Sequence, residues 1–142
     1  MKPGPGSAKV LDAWAVLAWI YGEEPAVAEV TVLLERAAAG AITLSMSMVN
    51  IGEVYYRLAK RSGRERATAF WEDFQTTPVR ILPVPNSLIL EAAHWKSRYP
   101  ISYADAFAVA TAIREQAVLV SGDPDFRALA EAGDVQLEWI GR

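Results

Sequence analysis

The sequence contains no cysteine and a single histidine, His94. The first absence excludes disulfides and thiolate metal centres and suits a reducing cytosol. With one histidine, the chain also lacks the nitrogen ligands of ordinary zinc sites. Long hydrophobic runs are missing too. The apolar run Ala13–Ile20 falls well short of the ~20 residues that span a bilayer. Lys2 and Lys9 before it and Ala26-Val27-Ala28 after it imitate a secretory signal. However, Asp12 abuts the run and Glu23-Glu24 interrupt its approach to the supposed cleavage site. It reads as a buried helix of a cytoplasmic protein with no membrane contact. There is no excess of positive charge either. Fourteen Lys and Arg stand against 17 Asp and Glu, a net charge of -3 and a pI near 5.2. That excludes a standing electrostatic grip on nucleic acid. It leaves room for a nucleic-acid enzyme, because bound divalent cations reverse the local sign.

What is present is apolar residue in quantity, 52% of 142 positions. This length fits one domain that buries roughly two thirds of its unfolded surface. The apolar share leaves surface for a second chain to cover. Residues 1–7 (MKPGPGS) are Pro/Gly-rich and expected to be flexible, leaving 8–142 as a single domain. Lys9–Leu11 reads as a strand ending at Asp12, which caps the helix Ala13–Ile20. A second helix begins at Pro25, with Val27, Val30, Leu33, Leu34 and Ala37 on one face, and stops at Gly40. Ala41–Leu44 is a strand ending at Ser45. Helices follow over Met48–Lys60 and Arg64–Gln75, then a strand over Val79–Leu82 and a helix capped by Asn86 and running to about Arg98.

The stretch Ile101–Phe126 is the most informative. Ala106, Val109, Ala110 and Ile113 form an apolar helical face starting just after Asp105. Ala117–Val120 is a buried strand closed by the turn Ser121-Gly122. A short helix over Pro124–Ala132 and a strand over Val135–Ile140 end the chain. Strands alternating with helices imply an α/β fold: a mostly parallel central sheet of about five strands with helices on both faces. Ligands of such sheets bind beyond the carboxyl ends of the strands. Asp12, Ser45 and Asp123 are expected there.

Each acid has an ordinary explanation. Asp12 and Asp123-Pro124 are good helix N-caps, and Asp105 favours a helix dipole. Glu53 and Arg57 form an i,i+4 pair. Jointly they suggest more. If Asp12, Glu53, Asp105 and Asp123 converge at one sheet edge, they repel one another and raise their pKa values unless a divalent cation neutralises them. An oxygen-only ligand set suits Mg²⁺ or Mn²⁺. Such an ion lowers the pKa of a bound water and clamps a phosphate oxygen, the requirements of phosphodiester hydrolysis.

Four segments carry a resemblance: VLDAWAVLAWI with Asp12, LSMSMVNIGEVYYRL with Glu53, ISYADAFAVATA with Asp105, and LVSGDPDF. In this order and spacing, from about Val10 to Trp139, the chain resembles PIN domains, specifically the small VapC-type toxin ribonucleases of toxin–antitoxin pairs. The resemblance implies a three-layer PIN-like fold and a Mg²⁺- or Mn²⁺-dependent endoribonuclease that leaves 3′-hydroxyl and 5′-phosphate ends. Asp12, Glu53, Asp105 and Asp123 match the family's acidic quartet as catalytic and metal-holding residues, and Ser121 its Thr/Ser at the end of the fourth strand. Asp125 competes with Asp123, which is favoured because it follows the strand directly; Asp125 is then auxiliary. Asn50, about one turn before Glu53, is a candidate for orienting a metal-bound water. The family also implies an RNA substrate, a homodimer and a cognate antitoxin whose Arg or Lys engages the acids.

Other residues receive plainer readings. His94 is a surface or partly buried residue, and Met46 and Met48 pack. Trp14, Trp19, Trp71, Trp95 and Trp139 are core or interface anchors. Tyr103 is assigned nothing beyond stacking with a base. Lys60, Arg61, Arg64 and Arg66 form a solvated basic turn, with an RNA- or antitoxin-facing patch as the sharper alternative. Two rival functions stand: a catalytically silent binding module of the same fold, and a nuclease acting on DNA. A phosphatase with a nucleophilic Asp is discounted, since Asp12 is followed by Ala13-Trp14 rather than by a second Asp.

Overall fold

The computed structural model describes residues 7–142. The flexible segment expected over 1–7 therefore lies, except for Ser7, outside the described residues. Five strands form one sheet: β1 (Ala8–Leu11), β2 (Thr43–Ser47), β3 (Arg80–Leu82), β4 (Val118–Ser121) and β5 (Leu137–Trp139). Their order is β3-β2-β1-β4-β5, and every neighbouring pair is parallel. The chain builds outward from β1 through β2 to β3, then crosses to the other side of β1 for β4 and β5. The sheet therefore reverses its direction of growth at β1, where β1 meets β4. A crevice opens beyond the carboxyl ends of strands at such a reversal.

Strand alternation divides the core in two. Leu11, Leu44, Met46 and Val120 face a layer made by α1 (Ala13–Ile20), α2 (Ala26–Ala38), α3 (Met48–Ser62) and α4 (Arg64–Phe74). Val10 and Leu119 face the opposite layer, built from α5 (Asn86–Arg98), α6 (Tyr103–Arg114) and α7 (Arg127–Glu131). This is the period-2 consequence of the pleat. The two layers also meet directly, since α3 packs on α6.

α6 differs from its expected one-sided pattern. Residues Ala106 to Ala112 are all buried, whereas Ile113 is 41% exposed. The reason is its position: it packs on β1, β2 and β4 and also against α5 and α3. Alanines at 106, 108, 110 and 112 allow that close approach on several sides.

β2 runs two residues further than expected. Ser45 lies inside the strand rather than at its end, and Ser47 is both the last strand residue and the N-cap of α3, accepting from the Val49 amide at 3.3 Å. Other boundaries shift for similar local reasons. Pro85, not Asn86, precedes α5, and no side chain caps that helix. The helix expected over 124–132 splits into a 3-10 turn, Pro124–Phe126, and α7. The basic residues around Gly63 do flank a turn. Gly63 joins α3 to α4 with φ +90°, a conformation that favours glycine.

Candidate acidic active site

Asp12 directly follows β1 and caps α1. Its Oδ1 accepts from the Ala15 amide at 2.8 Å, and its Oδ2 accepts from the Ser121 hydroxyl at 2.7 Å. Ser121 in turn accepts from the Asp123 amide at 2.9 Å. One hydroxyl thus ties the ends of β1 and β4 together at the point where the sheet reverses. Asp12 is almost wholly buried, 2% exposed. Burial pushes its carboxyl up to about 8; the hydrogen bonds from Ser121 and Ala15 oppose this, and the fields of Asp105 and Asp123 add to it.

Asp105 reaches the same place from α6. Ser102 caps that helix by accepting from the Asp105 amide at 3.1 Å, which fixes the first turn. Asn50 of α3 holds the turn from the other side, its Nδ2 donating to the Ala104 carbonyl at 2.9 Å. The half-buried Asp105 carboxyl is pushed up to about 7 by burial first, then by Asp123, Glu53 and Asp125, against the stabilising bond at Ser102.

Asp123 lies two residues beyond β4, and its Oδ1 accepts from the Asp125 amide at 2.9 Å, capping the 3-10 turn. That turn brings Asp125 back toward Asp105. Carboxylate oxygens of Asp105, Asp123 and Asp125 all lie within 4.8 Å of one another. The tightest acid set among the described residues is therefore this trio. Asp12 feels the fields of Asp105 and Asp123, and Glu53 acts on Asp105 through its own.

Glu53 lies one turn beyond Asn50 on α3, its side chain 11% exposed. Its Oε2 accepts from Arg57 Nε at 3.1 Å, the i,i+4 pair expected from the spacing. Burial works against the Arg57 charge, but the Glu53 carboxylate outweighs it and holds the guanidinium pKa above its ordinary value. Glu53 Oε1 and Asn50 Oδ1 are buried without any hydrogen-bond partner. Buried acceptors left in this state are costly. An orphaned oxygen on Glu53, whose field reaches Asp105 of the trio, is what an oxygen-coordinated divalent cation satisfies. The residues present therefore fit Mg²⁺ or Mn²⁺.

Two substitutions check this construction. Ser121→Ala removes the partner of both the Asp12 carboxylate and the Asp123 amide; it is expected to cost about 1–3 kcal/mol in urea unfolding. Gly122 follows Ser121, and a Cβ placed on it would lie 2.2 Å from Trp14 Cη2. Gly122→Ala must displace the indole and is expected to lower stability by about 1–3 kcal/mol, read as a lower melting temperature.

Three contributors were not visible as site residues in the sequence: Ser102, Trp14 and Gly122. The Ser-x-x-Asp spacing of a helix start is a signal for the first. The Trp14–Gly122 contact joins distant parts of the chain and leaves no local signal.

The model of the PIN domain matches residues 9–132. No curated protein matches the chain. Among solved structures it is similar to VapBC2 from Rickettsia felis bound to a promoter DNA fragment, at 17% identity and TM-score 0.68, covering 92% of this chain and 97% of that one. It is also similar to the sarcin-ricin-loop-cleaving toxin VapC20 of Mycobacterium tuberculosis, at 21% identity and TM-score 0.68, covering 84% and 93%. A third is VapBC-5, a member of the VapBC family of toxin–antitoxin systems from the same organism, at 19% identity, TM-score 0.60 and coverage of 94% and 99%. These likenesses are ones of fold.

Proposed function

Because this chain belongs to the PIN domain family, we propose that it is a divalent-metal-dependent endoribonuclease and the toxin of a toxin–antitoxin pair. The observation that carries the reading is the trio of carboxylates within 4.8 Å together with the orphaned Glu53 oxygen. Asp105, Asp123 and Asp125 would hold Mg²⁺ or Mn²⁺, with Asp12 and Glu53 alongside. A cation in that place supplies Lewis acidity toward a phosphate oxygen and lowers the pKa of coordinated water.

The chain's own groups do the positioning. Ser121 and the Ala15 amide fix both oxygens of Asp12, and Ser102 and Asn50 fix the turn that presents Asp105. Arg57 uses one nitrogen on Glu53 while its side chain stays 53% exposed. Hydrolysis adds the water oxygen to phosphorus and breaks the P–O3′ bond, giving a 3′-hydroxyl and a 5′-phosphate.

Partners follow from the same reading. A cognate antitoxin would supply a cation to the acids, in keeping with the toxin–antitoxin systems to which VapBC-5 belongs. A second copy of the chain would cover exposed apolar residues such as Ile89 and Leu90 of α5, the latter 73% exposed. The working unit is one domain over 8–142 in the cytoplasm; among the described residues no helix is long and apolar enough to cross a membrane.

The test is the chemistry of the cut ends. Labelled RNA and DNA of one sequence are incubated with purified protein and Mg²⁺ or Mn²⁺, and the products are probed with phosphatase and ligase. The expected result is RNA cut to 5′-phosphate ends. A 2′,3′-cyclic phosphate would mean that the 2′-hydroxyl is the nucleophile and would contradict metal-assisted hydrolysis. Preferential cleavage of the DNA would favour the rival substrate.

A further inference from the structure

A groove of about 730 Å³ adjoins the acids, lined by Trp14, Gly122, Arg127 and Trp139 among others. None of the five acids lines it, but Gly122 and Pro124, which do, flank Asp123 in the chain. Resting on the nuclease reading, we propose that this groove seats a nucleotide of single-stranded RNA next to the scissile phosphate, with Arg127, Trp139 and Trp14 as its positioning residues.

The chemistry of the walls supports this occupant. Two indoles converge on bare backbone: the Trp14 ring lies against Gly122, and Trp139 Cζ2 would be 2.9 Å from a Cβ on Gly141. Neither glycine position has room for a side chain, so both rings are held flush with the main chain. Both indoles are only partly buried and line the groove.

The Arg127 guanidinium stacks 4.1 Å from the centre of the Trp139 ring and has no carboxylate partner among the described residues. An exposed cation laid on an aromatic face beside a phosphodiester-cleaving site can take a phosphate while the ring takes a base. Arg142 and Arg127 also balance Glu23 and Glu24 around the groove, so it does not repel a polyanion as the bare acid cluster does. Stacking of this kind needs an unpaired base, which selects single strands or loops over a duplex.

The experiment measures binding of a fluorescent single-stranded RNA of about ten nucleotides by anisotropy in EDTA, so that nothing is cut. Arg127→Glu, Trp139→Ala and Trp139→Phe are compared with the unaltered protein, and folding is checked by circular dichroism. Arg36→Glu, on the exposed face of α2, controls for net charge. Arg127→Glu and Trp139→Ala are expected to weaken binding at least about five-fold, the loss of one stacked base or phosphate contact. Trp139→Phe should restore most of the loss and Arg36→Glu should cause none. Arg127→Glu should also make binding less sensitive to salt.

Unchanged affinity in Arg127→Glu and Trp139→Ala, with the unaltered protein cutting RNA when metal is added, overturns the groove alone and leaves it to a protein partner. An equal loss in Arg36→Glu overturns it too. If the unaltered protein cuts no RNA but the groove variants still lose binding, the nuclease reading falls and the groove stands.

Discussion

Asp105→Asn is expected to abolish metal-dependent RNA cleavage, a loss of about three orders of magnitude or more, while the fold remains. Asp105 is the acid on which the others converge. It belongs to the carboxylate trio and feels the fields of Asp123, Glu53 and Asp125. The substitution keeps shape and removes charge. On the proposed reading, losing this carboxylate would forfeit several kcal/mol of transition-state stabilisation, each ~1.4 kcal/mol being tenfold in rate. Stability should move the other way. Above neutral pH, Asn at this position relieves repulsion among the acids, so the variant should unfold at an equal or higher temperature in EDTA. A residue kept only for structure would show the reverse: lost stability, with any activity falling in proportion. Single-turnover cleavage and thermal unfolding, measured on the same preparations, separate the two.

The second large effect is on stability as a function of pH. Asp12 is held up to about 8 and Asp105 to about 7, against an ordinary value of 3.8. Between these limits the folded chain binds more protons than the unfolded one. Its stability therefore falls as pH rises from about 4 to about 8, and levels off beyond. The wholly buried Asp12 dominates. A loss of about 3 kcal/mol, on the order of 10 °C in melting temperature, is expected between pH 5 and 8 in EDTA. Asp12→Asn should flatten the slope. Saturating Mg²⁺ or Mn²⁺ should flatten it as well, because the cation favours the ionised carboxylates and stabilises only the folded state. Melting curves across that pH range, with EDTA or metal, read both effects. A slope that persists unchanged in Asp12→Asn would locate the titration elsewhere.

Local pattern carried much of this architecture, and its failures have identifiable causes. Asp12 before an apolar run placed α1 at Ala13–Ile20, where the structure has it. β2 was harder. Thr43 to Ser47 alternates strictly, yet Ser45 reads as the strand's end; in fact Ser45 and Ser47 are both buried, small enough to lie on the side of the sheet that α6 covers. α6 showed one apolar face because periodicity describes a helix with one neighbour, whereas this helix has several.

The same division applies to the site. Asp12, Asp105 and Asp123 were legible as acids at strand ends or in a first helical turn. The inclusion of Asp125 in the tight trio was not, since it depends on a 3-10 turn that Asp123 itself caps. Nor could spacing reveal that Ser121 bonds Asp12 across 109 positions of sequence, or that Arg127 stacks on Trp139. Such contacts exist only once the strands are aligned.

The central claim is that these carboxylates form a divalent-cation site, and calorimetric titration of Mn²⁺ into the purified protein near pH 6.5 tests it most directly. Because Asp105 and Asp12 still hold protons at that pH, binding should release protons, so the measured heat should change between buffers of different ionisation enthalpy. The account predicts saturable Mn²⁺ uptake with proton release in the unaltered protein, and loss of that uptake in Asp105→Asn. Undiminished uptake by Asp105→Asn, or no uptake by the unaltered protein, would contradict it.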